Sequence, residues 1–108
     1  EMRKSGKMKA MKKADRVAAE GRIFVAQDPN NQAALLIEIN SETDFVSRDA
    51  HFIEFGQRVA QLAFQAKAND IATIAALNYS AEADTVEQFR QALVAKIGEN
   101  IQLRRAHY

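Results

Sequence analysis

Two carboxylates in near succession, Glu42 and Asp44, are the closest approach to an acid–base pair in this sequence. General acid–base chemistry needs such groups in one cleft, each within reach of the proton it moves. Here both belong to Ser41-Glu42-Thr43-Asp44, a hydroxyl residue followed three positions later by an acid. That is a helix-capping pattern, and a cap already accounts for both acids. The two histidines, His51 and His107, lie far apart and do not have metal-ligand spacing. With no cysteine, thiolate catalysis, disulfides and cysteine-ligated zinc are excluded. Neither Gly-x-Gly-x-x-Gly nor Gly-Lys-Ser/Thr occurs, so no phosphate-cradling loop is visible. The residues predict no catalytic group, no cofactor and no metal.

One aromatic lacks an obvious place. Phe45 lies between acids and Arg48, at a helix start just after a strand. It precedes Phe52 by seven positions and shares its face only if one helix runs through both. A helix break near Ser47–Asp49 leaves it without a core contact. An exposed aromatic at a helix start is a candidate binding anchor. A core phenylalanine is the competing reading, and both stay open here.

Charge is distributed unevenly. Residues 1–16 hold seven basic side chains opposed by Glu1 and Asp15, whereas the other 92 residues have a net charge of −4. The basic segment, 1–17, reads as a solvated helix or linker. Its alternative use is in an RNA- or ribosome-associated binding module, through phosphate contacts. Aromatic residues do not interleave it, so a base-stacking platform is missing and nucleic acid is not the expected partner. No apolar run approaches the ~20 residues of a membrane span. The expected location is the cytoplasm.

The elements that must position these residues follow from periodicity. Arg22–Ala26 and Ala33–Ile39 read as a hairpin around the turn residues Gln27-Asp28-Pro29-Asn30-Asn31. Leu35, Ile37 and Ile39 share one face, and the strand is apolar on nearly both, which suits a central position. A helical turn is expected across Thr43–Val46. A second start, at Ser47 or Asp49, opens a helix with Phe52, Phe55, Val59, Leu62 and Ala66 on one face, ended by Asn69 and Asp70. Ile71–Leu77 reads as a short helix. Asp84-Thr85-Val86-Glu87 repeats the capping pattern before Val86, Phe89, Leu93 and Ile97, and Gly98 suits the helix end. Ile101–Arg105 alternates as a last strand. The sum is an α+β fold: a small three-stranded antiparallel sheet with helices packed on one face.

Three ordered blocks resemble a known family. Thr43-Asp44-Phe45-Val46 is similar to the Thr-Asp-Phe-Val signature of the elongation factor Ts family. Arg3-Lys4-Ser5-Gly6, Lys12-Lys13-Ala14 and Ala18-Ala19-Glu20-Gly21 resemble the family's basic segment leading into its core. Leu93-Val94-Ala95-Lys96-Ile97-Gly98-Glu99-Asn100-Ile101, then Leu103-Arg104-Arg105, resembles the stretch closing the first half of that core. The resemblance implies a fragment: 18–108 as the first core subdomain, and 1–17 as the linker at the end of an upstream helical module. It implies a guanine-nucleotide exchange factor for elongation factor Tu, not an enzyme. By resemblance, Thr43, Asp44, Phe45 and Val46 bind elongation factor Tu, with Phe45 as an apolar wedge that disturbs the partner's Mg²⁺ and phosphate site. Ile97 and Gly98 carry over as a second contact. The face that would meet the twin subdomain is a route to self-association of the isolated piece.

Overall fold

The computed structural model describes residues 16–30, 32–80 and 84–108. The basic segment expected over 1–17 lies outside these, apart from Arg16 and Val17. The described elements run β1 (Glu20–Gln27), β2 (Ala34–Ser41), α1 (Asp44–Ser47), α2 (Ala50–Ala66), α3 (Ile71–Ala75), α4 (Val86–Ile97) and β3 (Gln102–His107). The sheet is antiparallel with strand order β1-β2-β3. This is the expected α+β architecture.

The central position of β2 follows from its composition. Leu35, Ile37 and Ile39 are fully buried under the helices, and each such side chain contributes roughly 1.5–3 kcal/mol of apolar burial. Phe24 pairs with Ile37 and Ala26 with Leu35, which continues the buried face onto β1. On the opposite face Ile23, Val25 and Leu36 are exposed.

β3 departs from simple alternation. Ile39 pairs with Leu103 but Glu38 pairs with Arg105, so Arg104 is an extra residue in the ladder. Such a bulge shifts the pleat by one position. It sets Arg105 opposite Glu38, where the two form a 2.7 Å ion pair, and Ala106 opposite buried Ile37.

Helix α2 packs across β1 and β2. Asp49 is its N-cap and accepts from the N–H groups of His51 and Phe52. Its 17 residues bury Phe52, Phe55, Gly56, Val59, Ala60 and Ala63, with Leu62 half-buried. Ala66, expected on this face, is exposed as the last residue of the helix, directly before its Lys67 cap. The helix ends at Lys67, in the left-handed region, and Asp70 caps α3 rather than closing α2. Where α2 crosses the sheet, Gly56 meets the Phe24 ring, and any Cβ there would overlap it.

Helix α4 is capped one residue later than the sequence pattern suggests. Thr85 accepts from the N–H of Gln88, and the Gln88 side chain accepts from the N–H of Thr85. Glu87 instead receives the guanidinium of Arg90, whose other arm donates to the carbonyl of Ile101 at 2.7 Å. Gly98 ends the helix at φ 90°, as its position predicts.

Candidate functional site

The first candidate segment begins where β2 stops. Ser41 is buried, and its hydroxyl donates to the carbonyl of Thr43 at 2.9 Å, turning the chain out of the sheet. Thr43 is extended and caps α1, its Oγ1 accepting from the N–H of Val46. A helix of one turn is not stable by its own hydrogen bonds. Three further contacts hold α1. Val46 is buried in the core, the Ser47 hydroxyl donates to the carbonyl of Asp44, and Thr43 is tied to Glu99.

The tie to Glu99 completes a cap across the fold. A capping box needs a side-chain acceptor for the N–H of the cap residue, normally three positions into the helix. In α1 that position is Val46, which has no acceptor. Glu99 supplies it, accepting from the N–H of Thr43 at 3.1 Å and from its hydroxyl at 2.8 Å. The neighbouring residues are joined in the opposite sense: the carboxylate of Glu42 accepts from the N–H of Asn100. Glu42 also pairs with Arg16 at 2.9 Å, and the Asn100 amide donates to the Arg16 carbonyl at 2.7 Å. The loop after β2, the loop after α4 and the chain entering at Arg16 meet in one cluster.

This cluster brings together the two segments that the sequence singled out. Phe45 is 83% exposed, the most exposed large apolar side chain among the described residues. The other five phenylalanines are buried or packed against the core. The helix break at Arg48–Asp49 separates Phe45 from the face of Phe52, so Phe45 is not a core phenylalanine. Asp44 beside it is exposed, 3.6 Å from the Arg48 guanidinium. Ile97 is half-buried against the core, and among the described residues none beyond the two flanking Gly98 comes within 4 Å of where its Cβ would lie. Val46 faces inward, so within the signature it anchors while Phe45 is presented.

Glu42 and Asp44 have separate partners, which argues against a shared acid–base role. His51 lies exposed in the first turn of α2 and His107 near the end of β3. Among the described residues no group of three or more His, Cys, Asp or Glu could hold a metal ion, and no helix is long and apolar enough to cross a membrane. Local sequence patterns assign Glu99 no role. Its signal was weak: a capping threonine without an acceptor three residues on, and a carboxylate just past a helix-ending glycine.

Comparison with known proteins decides the family. The family model described as elongation factor TS matches residues 42–108, from the Glu42 turn through β3. The chain belongs to the elongation factor Ts family. It is 55% identical over 106 residues to elongation factor Ts of Alcanivorax borkumensis, and 53% identical over 106 residues to that of Arthrospira platensis. It is 54% identical over 105 residues to that of Legionella pneumophila strain Lens. These alignments take in 97–98% of the chain but 36–42% of the relatives. The chain thus spans well under half the length of the elongation factor Ts proteins it matches, including the whole of the cluster that joins Thr43 to Glu99.

Proposed function

We propose that this segment contributes to guanine-nucleotide exchange by docking on the GTP-binding domain of elongation factor Tu and weakening its hold on GDP. The single observation that supports this most is the outward presentation of Phe45 on a capped, core-anchored turn within a chain of this family. Asp44 and Phe45 form the leading edge, with Thr43 and Val46 as its support. Ile97 and Gly98 form a second contact. Residues 18–108 act as the first core subdomain and 1–17 as its linker. The exposed outer sheet face, with Ile23, Val25 and Leu36, would be covered by a second subdomain or a second copy.

The mechanism requires no catalytic group on this chain. The Phe45 ring enters between the partner's helices and shifts elements that hold Mg²⁺ and the phosphates. Mg²⁺ demands near-octahedral ligands at about 2.1 Å, so a small displacement is costly. A factor that prefers the conformation holding nucleotide weakly must, by linkage, be weakened equally by nucleotide. That reciprocity gives the test. A full-length elongation factor Ts carrying this segment is titrated against nucleotide-free and GDP-loaded elongation factor Tu by calorimetry. Tighter binding to the nucleotide-free form, with displacement on adding GDP, is expected. Equal affinity for both forms would remove exchange by this segment.

A further inference from the structure

We infer that Glu99 is a positioning residue for Phe45: it sets the direction of the exposed ring by holding the backbone and hydroxyl of Thr43, two residues before it. The role presupposes the exchange activity proposed for this segment and adds the device that makes the ring usable.

The inference starts from what does not hold Phe45. Its ring is 83% exposed, so packing within the chain does not fix where it points. Its direction comes from the backbone of α1, which has only four residues. Two anchors lie after the ring: buried Val46, and the Ser47 hydroxyl on the carbonyl of Asp44. The N-terminal side depends on Thr43. The Ser41 hydroxyl holds its carbonyl, and the carboxylate of Glu99 holds its N–H and its hydroxyl. Glu99 therefore takes both of the polar hydrogens Thr43 offers. It can do so because Gly98, at φ 90°, turns the chain back toward α1 at the end of α4.

A wedge works when it is ordered before it binds, since ordering on contact is subtracted from affinity. The same contact links Phe45 to the second candidate surface. Ile97 and Gly98 directly precede Glu99, so the ring and the open glycine are parts of one body. The matching bond from the N–H of Asn100 to Glu42 closes the pair in the opposite direction, leaving the two loops little room to slide.

The test uses a full-length elongation factor Ts carrying this segment and the release of a fluorescent GDP analogue from elongation factor Tu at sub-saturating factor. Glu99→Ala is expected to slow release roughly tenfold. Glu99→Gln keeps one acceptor oxygen for Thr43 and is expected to fall between Glu99→Ala and wild type. The decisive readout is the same substitution on a Phe45→Ala background. There Glu99→Ala is expected to change the rate by less than about twofold, because residues acting through one another do not add. A loss of the same factor in both backgrounds would assign Glu99 to general stability and overturn the inference, as would a wild-type rate for Glu99→Ala. No acceleration by the wild-type factor would instead remove the exchange reading itself, and the positioning role with it.

Discussion

The carboxylate of Glu99 completes the helix cap of Thr43 from 56 positions away, taking its N–H at 3.1 Å and its hydroxyl at 2.8 Å. In α4 the equivalent service comes from within the helix, where Gln88 answers Thr85. The two caps therefore carry different amounts of tertiary structure. Breaking the local one loosens a helix end, whereas breaking the distant one separates two loops.

That contrast is measurable as stability. Thr85→Ala is expected to cost about 1 kcal/mol, typical of a lost cap. Glu99→Ala leaves the half-buried Thr43 N–H without its acceptor and is expected to cost about 1–3 kcal/mol. Urea unfolding of both variants checks the order. A smaller loss for Glu99→Ala than for Thr85→Ala would contradict it.

Gly56 tests how α2 meets the sheet. A methyl group there overlaps the Phe24 ring, which itself packs 6.0 Å from the Phe52 ring. Gly56→Ala is expected to destabilise by about 1–3 kcal/mol through overpacking, despite the better helix propensity of alanine. Phe24→Leu on the same background should recover part of that loss. Thermal melts of the two variants decide it, and a stabilised Gly56→Ala would refute the close crossing.

Gly98 separates a backbone requirement from a surface role. Its φ of 90° strains any side chain with a Cβ, yet the space around that Cβ is open. Gly98→Val is expected to lose at least about 1–2 kcal/mol to backbone strain. Gly98→Asn suffers less, because asparagine tolerates positive φ. If a partner backbone presses on this glycine, Gly98→Asn melts near wild type but slows GDP release. Melting and release rates that fall in proportion would confine Gly98 to a folding role.

Glu87 makes one part of stability depend on pH. Hydrogen bonds from Arg90 hold its carboxyl below the ordinary 4.5, opposed by partial burial. A depressed folded value means that the ionised form is favoured by folding. The contribution is therefore complete above the ordinary glutamate range and is lost as pH falls through the folded value. Glu87→Gln should lower the melting temperature at neutral pH, and the gap should close as pH falls through the depressed folded value. A gap that stays constant down to acid would show that the Arg90 pair contributes nothing by ionisation.

Much of this fold is legible in local patterns. The double-sided apolar run of β2 marked the central strand, and the spacing of Phe52, Phe55 and Val59 marked the face of α2. Gly98 marked the end of α4. What was not legible depended on neighbours far along the chain. The bulge at Arg104 exists because β3 pairs with β2, and alternation within β3 does not encode it. The cap of α4 moved from Asp84 to Thr85 because Gln88 can reach back while Arg90 takes Glu87. At the candidate site, the signature residues stood out by type, but whether Phe45 faced outward depended on the helix break before Asp49. Glu99 stayed without a role because hydrogen bonds between distant loops leave no periodicity.

Phe45 bears the central claim, since a ring with 83% exposure contributes little to folding. Phe45→Ala is therefore expected to shift stability by less than about 0.5 kcal/mol. In a full-length elongation factor Ts carrying this segment, it should still weaken transition-state binding in GDP release from elongation factor Tu by about 2 kcal/mol or more. The deciding measurement is the GDP-release rate of wild type and Phe45→Ala at equal factor concentration, with melting temperatures alongside. A large rate loss with unchanged melting is the predicted result. An unchanged rate would contradict the wedge.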